Sequence, residues 1–459
     1  MTAAEAPMRS GSVPAHTPSA TDLERLATYD HLVVSWVDDA GYPTSVATDF
    51  RTDASAGTVT LASPAGMPIP TDREINVLGS HIRPQPGVGY DERRYLQLWG
   101  TTADGVVFTP TRAWGWDETE IPFFEYSERS VPQSRRYLAA LSEEKGRPIR
   151  PRLSPFWLAL RTTRLPFLSA TAVPVLLGIA VAANDDAFTW WTALLTLIGA
   201  SFAHLAINVT NDIFDTLSGA DEANTTPTQF SGGSRVAVYD LVSVRGLARL
   251  AVGLFGAAAA VGLVLVAVTG SITLLWIGVA GIVVGVAYTA PPLKLVYRGL
   301  GELAVALGFG PIMLTGAYVV QTGRIAVEPL VLSIVPGILI ALILFVNEIP
   351  DRRSDAEAGK RTLPVRFAPD VIRTGYLLAA LAAFAVIIGG VVGGILPWPT
   401  LIALAAIPIV LRVHSGLRVH YDSPYTLMAV MGTNVNLNLT VGGLLLAAYL
   451  ATIAVMLLS

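Results

Sequence analysis

"AHLAINVTNDIFDTLSGAD", residues 203 to 221, begins as an apolar helix and ends in three aspartates interleaved with asparagines. Asn211 and Asp215 are four apart and so share a helix face, with Asn208 a turn earlier on the same side and Asp212 beside it. Gly219 is the expected stop of the helix, and Asp221 follows it. A lone aspartate at a helix end is ordinarily a solvated cap. Here one span-end gathers several oxygen ligands.

The grammar repeats in "FVNEIPDRRSDAEAGKRTLPVRF", residues 345 to 367, where Asn347, Asp351 and Asp355 are spaced four apart. They share one face only if the helix persists past Pro350, whose ring removes a backbone donor and is expected to interrupt it. Clustered carboxylates in water-poor surroundings repel unless a cation neutralises them, and hard oxygen ligands that leave room for phosphates suit Mg²⁺. Cations accompany both clusters. Arg235 ends the Gly-rich turn "TPTQFSGGSRVAV", Lys360 and Arg361 follow the second cluster, and "AYTAPPLKLVYRGLGE" carries Tyr288, Lys294, Tyr297 and Arg298. A departing diphosphate gains negative charge as its carbon–oxygen bond breaks, so such cations and Mg²⁺ stabilise the transition state more than the ground state.

Around these motifs the chain is oily: of 459 residues 52% are hydrophobic and 14% charged, which is the balance of a membrane protein. The apolar runs fall after about residue 165, near 166 to 182, 190 to 211, 247 to 268, 271 to 289, 301 to 320, 329 to 349, 371 to 394, 399 to 413 and 437 to 458. These nine candidates approach the roughly 20 residues needed to cross a bilayer, the eighth being short. Lys and Arg concentrate in the connections after the second, fourth, sixth and eighth spans, while "AANDDAFT" and "GGILPWP" are bare and Arg324 is the one intruder on that side. Basic loops favour the cytoplasm, so both acidic clusters and the N-terminal region are expected there. A formal charge of −4 gives no basic field for nucleic acid, and the absence of cysteine excludes disulfides and thiolate chemistry.

The two aspartate-rich stretches, with "YTAPPLKLVYRGLGELAVALGFGPIMLTGAYVVQTG" between them, resemble the UbiA superfamily of intramembrane prenyltransferases, over about residues 155 to 459. The stretch between them resembles especially the branch acting on 1,4-dihydroxy-2-naphthoate in menaquinone synthesis. The resemblance implies an all-α membrane bundle of about nine transmembrane helices around a central cavity. It also implies Mg²⁺-dependent transfer of a polyprenyl group from its diphosphate to an aromatic acceptor, with loss of the ring carboxylate in the naphthoate branch. By matching position, Asn211, Asp212, Asp215, Asp221, Asn347, Asp351 and Asp355 would hold metal and diphosphate. Asp215, Asp351, Lys294 and Arg298 would be catalytic, and Asn208, Arg235, Tyr288, Lys360 and Arg361 would bind substrate. Glu348 stands where naphthoate-branch members more often have a second asparagine.

Ahead of the membrane region, residues 1 to 20 read as a disordered tail, 21 to 145 as a soluble mostly-β domain, and the Pro- and Arg-rich 146 to 160 as a linker. "HLVVSWV", "YPTSVAT", "TVTLAS", "YLQLWGTT" and "GVVFTP" read as strands and "SRRYLAALSEEKG" as a closing helix. The pattern resembles the flavin-binding split barrels related to pyridoxamine-phosphate oxidase, which implies FMN as a possible ligand, with Arg93, Arg94 and Arg112 as phosphate contacts and Trp114 and Trp116 against the ring.

Other readings are a UbiA-type enzyme with another aromatic or lipid acceptor, a transporter, and a lipid-binding protein whose working part is a flavin domain. Ion paths place ionisable groups along their depth. Here the span interiors are nearly free of charge apart from Glu302, and the acids gather at one face.

Overall fold

The computed structural model describes residues 15–62, 67–85, 89–121, 123–151, 153–224 and 226–458. The chain divides into two compact units, residues 1–137 and 138–459.

The N-terminal unit is built on a seven-stranded antiparallel sheet: β1 (Leu32–Val37), β2 (Pro43–Thr48), β3 (Phe50–Asp53), β4 (Thr58–Leu61), β5 (Ile75–Gln85), β6 (Gly89–Thr102) and β7 (Val107–Asp117). The order is β2-β1-β5-β6-β7-β4-β3, so the two edges are consecutive pieces of chain joined through Asp49, and the sheet curls into a half-barrel. Alternate residues point inward, as the strand period of two requires. Leu32 and Val34, Val59 and Leu61, Ile75 and Val77, and Leu96 and Leu98 fill the core with Phe108.

Sequence patterning missed β3, which has four residues, and β5, whose Gly79 and Pro84 blur its alternation. The closing helix, Phe123–Glu144, starts ahead of Pro132 rather than after it. The tail reading also needs correction. Residues 1 to 14 lie outside the described residues, but His16 bridges Ala113 in β7, and Ser19 caps the helix Ala20–Leu26 in a reciprocal box with Asp22. These are polar contacts made by a stretch, "AHTPSA", without large apolar residues, which is why it read as tail.

The second unit holds eight helices long and apolar enough to cross a membrane, plus the shorter apolar Ser169–Asn184. The latter is preceded by a 3₁₀ turn, Leu165–Leu168. Together, among the described residues, they match the nine expected spans. The short eighth is longer than expected, Trp398–His420, because it opens as a 3₁₀ helix, Trp398–Ala406. Val327–Glu357 is the central element, packing Leu339, Val346 and Ile349 among Tyr376, Met431 and Tyr449. Val244–Thr269 is peripheral and turns Val252, Leu263 and Val268 outward. Such exposed apolar side chains suit a lipid boundary.

Pro350 does not interrupt its helix, which runs unbroken to Glu357. One lost hydrogen bond is outweighed where the following turn is anchored. Arg352 donates to the Ile349 carbonyl at 2.9 Å and pairs with Asp422. At the other ends of the spans Arg324, the intruding base, lies 3.1 Å from Asp185, to which Tyr318 also donates at 2.5 Å.

Candidate active site

Helix length explains how an apolar span can finish in acids. Trp190–Ser218 has 29 residues and Val327–Glu357 has 31, so they reach about 43 and 46 Å at a rise of about 1.5 Å per residue, against a hydrocarbon core of about 30 Å. Each overruns the membrane by several turns, and those turns carry the motifs. Gly219 ends the first helix in a left-handed conformation, and Asp221 sits on the short helix Ala220–Ala223 that follows.

The two span-ends meet at one cavity of about 580 Å³. Asn208, Asn211 and Asp215 line it from the first helix, and Asn347, Asp351 and Asp355 line it from the second, with Lys360 and Tyr288. The spacing-of-four readings therefore describe real faces. Asp215 is the junction. It accepts from Asn211 Nδ2 at 2.8 Å and Tyr297 Oη at 3.0 Å, and Lys360 Nζ lies 3.3 Å from its Oδ2. Lys360 Nζ is also 3.6 Å from Asp355 Oδ1, so one buried ammonium ties the two motifs together. Burial alone would push that ammonium down, but Asp215 and Asp355 hold it well above its usual value.

The segment between Asn224 and Arg235 straps both motifs. Asn224 Nδ2 and the Gly232 amide each donate to Asp351 at 2.8 Å, while the Ser234 amide donates to Asp212 at 3.2 Å. Gly233 has a φ of +69°, and a Cβ there would lie 2.8 Å from Asp221 Oδ1 and 3.1 Å from Asp212 Oδ1. Glycine is required by both conformation and space. Asp212 and Asp221 thus sit behind the loop, outside the cavity lining. Burial, then the neighbouring Asp215 and Asp212, push the Asp221 carboxyl well above the usual carboxylate range.

The remaining expected cations are placed differently. Arg235 turns inward on its own loop, donating to the carbonyls of Asp221 at 2.7 Å and Asn224 at 3.1 Å. Lys294 lies over the Tyr297 ring, 4.9 Å from its centroid. Arg298 donates to the Pro292 carbonyl at 3.0 Å, and exposed Arg361 joins the neighbouring segment through its backbone, donating to the Tyr297 carbonyl at 3.1 Å. None of these four lines the cavity. Arg164, which precedes the first span and was not among the expected site residues, does line it. So does His204, whose Nδ1 is 2.7 Å from Thr171 Oγ1. A lone histidine inside an apolar span was the available signal.

Away from its polar end the cavity is apolar. Thr196 and Asp215 both line it, a separation of about 28 Å along one helix. Small residues open its walls, among them Gly262, Gly278 and Gly308, and the last begins a π-helical turn, Gly308–Ile312, within the fifth span. The residues fit a hard divalent cation at the polar end. Asn211 Oδ1, Asn347 Oδ1 and Asp355 Oδ2 are buried without a hydrogen-bond partner. Among the described residues no three carboxylate or imidazole groups form a closed cage. Mg²⁺ commonly keeps waters and phosphate oxygens as ligands rather than using such a cage.

The sequence matches the model of the UbiA prenyltransferase family over residues 171–426. The chain belongs to the UbiA prenyltransferase family. It is 33% identical over 245 residues to the 1,4-dihydroxy-2-naphthoate octaprenyltransferase of Mycobacterium tuberculosis, covering 53% of this chain and 80% of that one. It is 29% identical over 322 residues to the 2-carboxy-1,4-naphthoquinone phytyltransferase of Synechocystis, covering 66% and 96%. A solved structure of a UbiA homolog from Archaeoglobus fulgidus bound to GPP and Mg²⁺ aligns with TM-score 0.47 and 15% identity, covering 64% of this chain and 99% of that one. This UbiA prenyltransferase is an integral multi-pass membrane protein whose two acidic motifs share one cavity.

In the N-terminal unit, the arginines expected to meet a phosphate have protein partners. Arg93 pairs with Glu118 and stacks over Phe123 at 4.0 Å, and Arg112 Nη2 is 2.9 Å from Glu74. Arg94 lies 5.7 Å from the Tyr29 ring centroid. Trp116 stacks on Tyr126 at 4.6 Å, and Trp114 packs edge-on to Tyr95 at 5.8 Å.

Proposed function

We propose that this enzyme transfers a polyprenyl group from its diphosphate to an aromatic acceptor in an Mg²⁺-dependent reaction, the acceptor being 1,4-dihydroxy-2-naphthoate in menaquinone synthesis. The observation that carries the reading is the cavity itself, a long apolar body ending at two acidic motifs cross-linked by Lys360. Relatives named for naphthoate substrates support the acceptor.

In this reading Asn211, Asp215, Asn347, Asp351 and Asp355 hold Mg²⁺, which when bound offsets the charge of the diphosphate. Lys360 and Arg164 present positive charge where the leaving oxygen becomes anionic. The allylic carbon–oxygen bond breaks, diphosphate leaves with the electron pair, and a ring carbon supplies the pair for the new carbon–carbon bond. For the naphthoate, the ring then regains aromaticity by releasing its carboxyl group as carbon dioxide. The apolar walls keep water from the allylic cation. Basic loops at this end support a cytoplasmic mouth and a cytoplasmic N-terminal domain.

The decisive experiment incubates purified protein with Mg²⁺, a polyprenyl diphosphate and dihydroxynaphthoate, following products by mass. Prenylated, decarboxylated product is expected, and its absence with every aromatic or lipid acceptor tried would sink the reading. Chain length has its own test. Gly278 lines the cavity and a Cβ there would meet nothing within 4 Å, so Gly278→Phe adds a ring at the cavity wall with no clash at its Cβ. We expect kcat/KM to fall about tenfold or more for long donors while short donors keep theirs, on the scale of a few methylenes excluded from a pocket. FMN binding by the half-barrel is proposed from its strand pattern. A flavin absorbance band in the purified protein supports it, and a colourless preparation after incubation with FMN and gel filtration rejects it.

A further inference from the structure

Glu348 is buried in the cavity wall, 5% exposed, and among the described residues no amide, hydroxyl, ammonium or guanidinium donates to either carboxylate oxygen. An unmatched carboxyl group is among the costlier things a protein can bury. The neighbouring helix adds a second. Glu302, whose carboxyl is close enough to hydrogen-bond with that of Glu348, also has an oxygen without a partner, so the pair still leaves carboxylate oxygen unsatisfied. Lys360 lies instead against Asp215 and Asp355. The prenyl diphosphate cannot satisfy Glu348, because its polar end carries only acceptors and negative charge. Glu348 lies on the same helix face as Asp355, about 20° away in azimuth and about 10 Å nearer the apolar body of the span, so a Mg²⁺ titration is what separates an acceptor-binding role from a cation-binding one. Beside it on the cavity wall is Tyr288, an aromatic surface.

We infer that Glu348 is a substrate-binding and specificity-determining residue that accepts a hydrogen bond from a phenolic hydroxyl of the aromatic acceptor, whose ring lies against Tyr288. The inference rests on the prenyl-transfer reading above and adds the subsite that reads the acceptor's hydroxyl. A site built to hydrogen-bond a hydroxyl rejects the analogue lacking it, because its own polar group is then left unmatched. With Glu348 in place the enzyme therefore distinguishes dihydroxynaphthoate from the same ring with one hydroxyl replaced by hydrogen. Glu348→Ala removes the acceptor atom and erases that distinction.

The test measures steady-state transfer by the full-length parent, Glu348→Ala and Glu348→Gln in detergent. Dihydroxynaphthoate, its monohydroxy analogue, the prenyl diphosphate and Mg²⁺ are varied in turn. For Glu348→Ala the KM for dihydroxynaphthoate should rise roughly 10- to 100-fold, the scale of a charge-assisted hydrogen bond. The preference over the monohydroxy analogue should collapse, with donor KM and Mg²⁺ half-saturation within about twofold of the parent. Glu348→Gln keeps an acceptor oxygen and should recover part of both effects. An unchanged preference in Glu348→Ala overturns the inference, as does a shifted Mg²⁺ half-saturation with acceptor KM unmoved, which would make Glu348 a cation ligand. A parent that transfers normally while Glu348→Ala keeps its preference sinks this inference alone. A parent that prenylates no acceptor sinks the functional reading and the inference with it.

Discussion

Asp215→Asn should lower the turnover of prenyl transfer by about 1,000-fold or more while leaving the protein folded. Asp215 is where the site's contacts converge: Asn211, Tyr297 and Lys360 all reach it, and it faces the cavity. Substituting asparagine keeps the size and one oxygen for Tyr297, so the packing around the helix end survives. What goes is the negative charge. A neutral amide is a weaker ligand than a carboxylate for a hard divalent cation and no longer offsets the Lys360 ammonium, so the charge balance built around the departing diphosphate is lost. Donor binding should weaken as well, and raising Mg²⁺ should recover little of the turnover. Single-turnover product formation by mass spectrometry, with circular dichroism as the folding control, measures both sides. A variant within about tenfold of the parent would show that Asp215 is structural, its ion pair with Lys360 being its whole role.

The reach of sequence reasoning can be judged from the same residues. Asn211 with Asp215, and Asn347 with Asp351 and Asp355, were legible because a period near four is a property of the helix alone. Arg235 was not. Its charge suggested a diphosphate partner, but its guanidinium is turned to two carbonyls of a loop shaped by residues with positive φ, including Gly232, Gly233 and Arg235 itself. No charge count reveals that geometry. Asn224 was missed for the converse reason, since its link to Asp351 joins residues 127 apart. The spans were located by composition, whereas the continuation through Pro350 is accompanied by contacts of Arg352 with Tyr421 and Asp422, in a turn some 70 residues away in sequence. In the half-barrel, the strands with strong alternation were found, and β3 and β5 required the pairing of their neighbours.

Lys360→Ala should be the most destabilising single change in the site, by about 3 kcal/mol or more, because it strands two buried carboxylates. Lys360 Nζ lies 3.3 Å from Asp215 Oδ2 and 3.6 Å from Asp355 Oδ1, and both acids are buried. Asp355 Oδ2 has no hydrogen-bond partner among the described residues, and the neutral donors to Asp215, Asn211 and Tyr297, bring no charge to replace the ammonium's. Deleting a surface lysine would cost well under 1 kcal/mol. Here the penalty comes from charges left behind rather than from the interaction removed. The sign of a rescue follows directly: a divalent cation that binds the same carboxylates in the folded state alone should restore stability as its concentration rises. Thermal unfolding in detergent should therefore show a lowered midpoint for Lys360→Ala without Mg²⁺ and a larger upward shift on adding Mg²⁺ than the parent shows. Turnover should stay depressed about 100-fold even in saturating Mg²⁺, since the ammonium that faces the leaving group is not replaced. A double variant, Lys360→Ala with Asp355→Asn, should recover stability without recovering turnover, separating the carboxylates' repulsion from the chemistry. If the single variant melts at the parent's temperature without Mg²⁺, Lys360 is not the tie between the two motifs, and their convergence must be held by the Asn224 strap alone.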